Sequence, residues 1–185
     1  GETWLPYATQ MLDTLHAGLQ KISTPDDEVR GTLQIAVPSD LGRNLLLRVF
    51  RAFRQRHPAL RLRILFSDHR TDVFKDPVDV AFRYGDNDDA SFISLPVAPE
   101  NRRMLVASPG WIAEHGEPKT LEDLARHNAL TYVLRGRAFD RWPLSLDGKV
   151  HYVQVAGTIV SDDAEVIRRL AVAGEGIAFK SELDV

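Results

Sequence analysis

The sequence contains no cysteine, which excludes a disulfide scaffold, a thiol nucleophile and any zinc site with sulfur ligands. Long apolar runs are also missing. No stretch approaches the roughly 20 residues that a membrane-spanning helix requires, so no membrane partner is expected. The N-terminus lacks the charged-then-apolar pattern of an export signal. Internal repeats and low-complexity tracts are absent. Charge of one sign is not in excess: 23 Lys and Arg stand against 26 Asp and Glu, a formal net charge of −3, with a pI near 6.1. What is present is ordinary globular composition. The 185 residues are 44% hydrophobic, enough chain for a sizeable core in one domain or two small lobes, and disordered and fibrous classes are excluded. The first residue is Gly rather than Met, which reads as a processed or cloned fragment. A cysteine-free chain without a signal is expected in the cytoplasm.

Residues 2–23 predict a helix. Leu5, Leu12 and Leu19 lie seven apart, as do Ala8, Leu15 and Ile22, and the two series interleave at steps of three and four over three heptads. That is a coiled-coil seam, narrower than a core-facing stripe. Pairing with a second copy is therefore favoured over packing on the same domain. Pro25 in the polar run Ser23–Arg30 ends this helix in a linker.

Strand and helix patterns then alternate. Leu33–Val37 is a buried strand. Pro38, Ser39 and Asp40 form a turn with a helix N-cap, and a helix runs from about Leu41 to His57, closed by Pro58. Leu60, Leu62, Ile64 and Phe66 alternate with Arg61 and Arg63 as a second strand. A short helix is expected around Thr71–Phe74, a third strand over Val78–Tyr84, and a loop over GDNDDAS. Further strands fall near Ile93–Val97, Met104–Ala107 and Leu130–Leu134. Thr120 opens a short helix with Asp123 completing a capping-box-like start. Asp147-Gly148 marks a hairpin between Trp142–Leu146 and Val150–Val155. Ser161-Asp162-Asp163 caps a helix through Ala173, Gly174 ends it, and Ile177–Phe179 starts a strand. This alternation argues an α/β architecture with parallel strands, whose ligand site lies beyond the carboxyl ends of the strands.

Ser39 is the sharpest candidate residue. Its hydroxyl and the free N–H groups of a first helical turn can hold an anion; as an ordinary N-cap it stabilises by about 1 kcal/mol. A ligand role requires other strand ends to converge on it, and Ser67, Tyr84, Gly85, Leu134, Arg135 and Ser161 occupy such ends. Catalysis is not expected. Pro38-Ser39-Asp40-Leu41-Gly42 is not a nucleophile elbow, and none of the six histidines is spaced as a base or a metal ligand. Asp86, Asp88 and Asp89 lack the rest of a calcium loop. Neither a metal nor a cofactor is expected. The arginines 43, 48, 51, 54, 56, 61 and 63 occur with no acid between them. A solvated face or a subunit contact is preferred there over a nucleic-acid surface.

Taken in order, GTLQIAVPS (31–39), the helix ending FRQRHP, Ser67-Asp68, VDVAFRYG (78–85), RRMLVASPGW (102–111), PKTLEDL (118–124), the Asp147-Gly148 hairpin and AGEGIA (173–178) resemble the effector-binding domain of LysR-type transcriptional regulators. The opening GETWLPYA resembles the end of that family's winged helix-turn-helix running into its linker helix. The resemblance implies a type 2 periplasmic-binding-protein-like fold of two lobes behind a long dimerisation helix. Residues 1–24 would be that helix, 25–30 a linker, and 31–185 the sensor, with the first lobe about 31–98 and 176–185 and the second about 99–175. It further implies a small-molecule effector, with a carboxylate as the candidate class, held by Ser39, Asp40, Leu41, Ser67, Tyr84 and Gly85 from the first lobe. Leu134, Arg135 and Ser161 would face them from the second. Arg135, and after it Arg83, would pair with an acidic effector. Self-association as a homodimer or homotetramer and promoter DNA contact through an N-terminal domain complete the expectation. A solute-binding protein of a transport system shares the fold but needs an export signal and no coiled-coil linker.

Overall fold

Two larger sheets and a two-stranded hairpin organise the described residues. The structure, a computed structural model, describes residues 29–68, 78–85, 93–134 and 136–185. The expected dimerisation helix, the short helix at Thr71–Phe74, the loop after Gly85 and Arg135 lie outside the described residues.

The first sheet has the order β2-β1-β3. Strand β1 (Gly31–Val37) runs parallel to β2 (Leu60–Phe66) in unbroken register from Gly31 opposite Leu60 to Val37 opposite Phe66. The period-two pattern places Leu62 and Ile64 against the core formed by Ile35, Val37, Leu41, Leu46 and Phe50. Between β1 and β2 the helical connection starts at Ser39, earlier than the expected Leu41. It comprises α1 (Ser39–Leu41), a π-helical turn (Gly42–Leu46) and α2 (Leu47–Arg56). Wide turns of this kind recur at functional sites. Gly42 is required by closeness: a Cβ there would lie 2.5 Å from Val37 Cγ2 and 2.7 Å from Phe66 Cε1.

The expected third strand Val78–Tyr84 is shorter. Only β3 (Val80–Ala81) pairs, parallel to β1 at Ile35 and Ala36. The chain then turns away, with Gly85 at φ 80°. The expected strand Ile93–Val97 does not form. Its Ile93, Leu95 and Val97 are 94%, 78% and 79% exposed; the alternation is present, but no neighbouring strand among the described residues pairs with it.

The second sheet has the order β4-β10-β5-β6, with β9 on the other edge of β5. Its strands are β4 (Arg103–Val106), β5 (Asn128–Leu134), β6 (Arg137–Ala138), β9 (Ala156–Ser161) and β10 (Ile177–Ser181). β10 pairs antiparallel to β4 and parallel to β5. Ile177–Ser181, within the segment 176–185 expected in the first lobe, is therefore bonded into the second sheet, while Asp184 beyond it contacts Asn44 of the first lobe. Strand β9 and helix α3 (Pro109–His115) were not anticipated; Ser108 caps α3 by accepting from the Trp111 N–H. Helix α4 (Leu121–Leu124) carries the expected capping box of Thr120 and Asp123. The hairpin β7 (Arg141–Leu146) and β8 (Lys149–Gln154) turns at Asp147-Gly148 as read. Helix α5 (Ala164–Ala173) starts at the Asp163 cap and ends at Gly174. Trp111, Leu124, Trp142, Ile177 and Phe179 form one core cluster, while Leu130, Ile167, Ala171 and Ala178 form another; Ile177 and Phe179 alternate with Ala178 along β10, so the two clusters cover opposite faces of the sheet.

Candidate functional site

The carboxyl ends of β1 and β2 in the first sheet meet the N-terminus of α5, which follows β9 in the second. Ser39 stands directly after β1 and is 4% exposed. Its backbone N–H donates to Asp68 Oδ1 at 2.7 Å and its hydroxyl donates to Asp68 Oδ2 at 2.5 Å. Ala164, the first residue of α5, donates its N–H to the same Asp68 Oδ2 at 2.9 Å, and the Glu165 N–H donates to Ser39 Oγ at 3.2 Å. Ser39 is thus a bridge between the lobes as well as a helix start.

Asp163 completes the cluster. Its Oδ1 accepts from the Glu165 and Val166 N–H groups at 2.8 and 3.2 Å, and Arg43 Nη1 approaches Oδ2 at 3.5 Å. Burial works to raise its pKa, but these backbone donors and Arg43 outweigh burial and hold the carboxyl below its ordinary value. Ser161, at the end of β9, accepts from the Asp163 N–H through Oγ at 3.1 Å.

Behind this mouth lies a buried ionic cluster. Lys180 on β10 is 5% exposed, and Asp40 and Asp184 are each 3% exposed. Lys180 Nζ lies 2.6 Å from Asp40 Oδ2 and 2.9 Å from Asp184 Oδ2, and donates to the Ala164 carbonyl at 2.9 Å. The Asp184 contact is ionic, since that oxygen has no well-aligned hydrogen bond. Asn44, in the π turn, donates to Glu165 Oε2 at 2.7 Å and Asp184 Oδ1 at 3.0 Å. Desolvation raises the Asp184 pKa above the carboxylate norm, against the opposing pull of Lys180.

The expected residues therefore divide. Ser39 and Ser161 join the cluster. Tyr84 lines the first core next to it. Its hydroxyl is buried without a hydrogen bond, and burial, followed by the nearby Asp40, pushes its pKa up. Ser67 is tied to the sheet end: its N–H donates to the Val37 carbonyl at 2.9 Å, and its carbonyl accepts from Arg83 Nη1 at 2.9 Å. Asp40 is engaged by Lys180 and Leu41 belongs to the first core. Gly85 is exposed, and Leu134, 39% exposed, ends β5 opposite Arg137.

Asp68, Glu165, Lys180, Asp184 and Arg103 were missed. The Arg103 guanidinium lies 5.8 Å from the Tyr84 ring and 5.8 and 5.9 Å from those of Phe139 and Phe179. A lone charged residue in the otherwise uncharged IAFKS of β10 was the readable signal for Lys180; the others carried none. Among the described residues, no group of His, Asp and Glu could hold a metal ion, and no helix is long and apolar enough to cross a membrane.

Comparison with known families settles the class of this two-sheet arrangement. The profile described as the LysR substrate binding domain matches residues 26–185. The chain belongs to that family. Among LysR relatives, the HTH-type transcriptional regulator DmlR of Escherichia coli (strain K12) is 30% identical over 185 residues, covering 100% of this chain and 60% of the relative. The HTH-type transcriptional activator TtdR of the same organism is 23% identical, covering 100% of this chain and 59% of its own length. The CrgA regulatory domain of Neisseria meningitidis superposes with a TM-score of 0.68 at 25% identity, covering 85% of this chain and 76% of that one. Full-length AphB of Vibrio cholerae shares the fold at a TM-score of 0.69 and 24% identity, covering 99% of this chain and 62% of AphB. The chain spans about 60% of the length of the curated relatives it matches. These relatives are LysR-type transcriptional regulators, and the regulatory domain is the part to which the chain corresponds; a transport solute-binding protein is not favoured.

Proposed function

We propose that this LysR domain is the sensor of a DNA-binding transcriptional regulator, binding a small-molecule effector between its two sheets. The observation that carries the proposal is the convergence of Ser39, Asp68, Ser161 and the α5 N-terminus from opposite lobes at one point. An effector that binds one lobe arrangement better than another shifts the population toward it. Asp40, Leu41, Ser67, Tyr84, Gly85, Leu134 and Arg135 are the further candidate effector contacts. The heptad positions Leu5, Ala8, Leu12, Leu15, Leu19 and Ile22 pair two copies, as a homodimer or within a homotetramer, and pass the change to a promoter-bound N-terminal domain in the cytoplasm. The protein acts by binding and not as an enzyme.

Calorimetric titration of a panel of small organic acids and matched neutral compounds tests the site. The expected result is binding of an acid that weakens at least tenfold, about 1.4 kcal/mol, in Ser39→Ala. Equal affinity of the two proteins for every compound removes Ser39 from the site. Sedimentation of the regulator should show a dimer or tetramer, and a strict monomer contradicts the pairing.

A further inference from the structure

The donors that made Ser39 a candidate are already filled. The Asp68 carboxylate takes the Ser39 N–H, the Ser39 hydroxyl and the Ala164 N–H at 2.5–2.9 Å. An incoming carboxylate cannot use these donors while Asp68 holds them. Resting on the effector reading above, we infer that Asp68 is a resident ligand of a carboxylate pocket, and that a small external carboxylate acts by exchanging with it.

Three observations distinguish this from a plain helix cap. Helix α5 already has its own cap, because Asp163 accepts from both Glu165 and Val166. Asp68 reaches the helix from the other lobe, 96 residues away in sequence. It also makes no ion pair among the described residues; its hydrogen-bond partners there are neutral donors. A carboxylate held by neutral donors exchanges for another carboxylate with no net change in local charge. Nothing then need be left buried and uncompensated, which is the large cost in removing one half of an ion pair. The exchange has a structural consequence as well. Asp68 ties the end of β2 to α5, so its displacement releases one of the bonds that fix the lobes relative to each other.

The test is chemical rescue with formate. Asp68→Ala empties the pocket, and formate should raise its melting temperature with half-saturation at about millimolar to tens of millimolar, the range open to so small a ligand. Chloride at equal ionic strength should not. Wild type should require at least about tenfold more formate, because its pocket is competent only in the fraction of molecules where Asp68 has swung out. Should Asp68→Ala fail to fold, Asp68→Asn serves: its amide places N–H against a donor, so formate should compete there more effectively than in wild type. Equal response of wild type and variant to formate, or equal effects of formate and chloride, overturns the exchange. The panel titration of wild type stands apart from this. A metabolite that binds wild type and Asp68→Ala equally leaves the sensor reading intact while removing Asp68 from it.

Discussion

Replacing Lys180 by Met should cost more stability than any other single change in the cleft. The side chain is 5% exposed and supplies the positive charge facing Asp40 Oδ2 at 2.6 Å and Asp184 Oδ2 at 2.9 Å, both buried. Methionine fills a similar volume, so packing is nearly conserved and the loss is electrostatic. Removing one partner from a buried pair costs about 3–5 kcal/mol, because the remaining charge is stranded. At about 2–4 °C per kcal/mol for a chain of this size, Tm should fall by about 6–20 °C. The pH dependence is the sharper criterion. Desolvation already holds the Asp184 pKa above its unfolded value in the wild type. The folded state thus binds more protons, and Asp184 opposes folding increasingly as pH rises from the ordinary carboxylate range through its folded pKa. Without Lys180 that opposition grows, so the deficit should be largest near neutrality and shrink towards about pH 4, where carboxylates protonate. Adding Asp184→Asn to Lys180→Met should recover part of the loss at neutral pH. Calorimetric scans of the three proteins at several pH values decide the matter. A Tm for Lys180→Met within about 2 °C of wild type, or a deficit unchanged by acid, refutes the reasoning.

Two further changes probe the lobes separately. Gly42→Ala should destabilise by about 1–3 kcal/mol through overpacking, since the added carbon meets Val37 Cγ2 at 2.5 Å and the Phe66 ring at 2.7 Å; urea unfolding with no loss of stability would contradict it. Trp142→Ala should cost about 3–5 kcal/mol, because Trp142 is 1% exposed, stacks on Phe179 at a centroid distance of 5.6 Å and donates Nε1–H to the Phe139 carbonyl at 2.9 Å. A small change in its unfolding midpoint would show that the hairpin is not docked through this ring.

Local signals reached some of this fold and stopped at definite points. Strands β1 and β2, the Asp147-Gly148 hairpin and helix α5 were legible because periodicity, a two-residue turn and a cap with a terminal glycine are encoded by neighbours in the chain. Ile93, Leu95 and Val97 show the limit: alternation states that one face is apolar but not that a partner strand exists. Strand β9 failed from the opposite direction. Gly157 lowers strand propensity, yet a Cβ there would fall 1.6 Å from the Ala129 carbonyl oxygen. The position is therefore chosen for backbone approach to β5. At the site, Ser39 was readable from its place after β1, and Asp68 was passed over in favour of its neighbour Ser67. The Lys180–Asp40 and Asn44–Glu165 contacts join residues 140 and 121 apart in sequence, and no local pattern specifies such pairs.

The distribution of apolar and polar contacts bears on how the proposed effector would act on this molecule. The first core cluster draws on residues from Leu33 to Tyr84, and the other two on residues from Val106 to Phe179; among the described residues none spans both sheets. The lobes meet instead largely through polar and ionic side chains, among them Lys180, Asn44, Ser39, Asp68 and the Arg43–Asp163 pair, with Arg103 over the Tyr84 ring. Apolar burial is non-directional and tolerates sliding, whereas a hydrogen bond is lost within a small displacement. An interface of such bonds therefore favours discrete arrangements. With each neutral bond worth about 0.5–1.5 kcal/mol net, the exchange of two or three supplies the 1–3 kcal/mol typical of coupling between sites. The two polar groups divide this work by depth. The Lys180 cluster is buried and charged, so breaking it should both unfold and uncouple the lobes. Asp68 is half-buried and held by neutral donors, so releasing it should reorient the lobes with the fold intact.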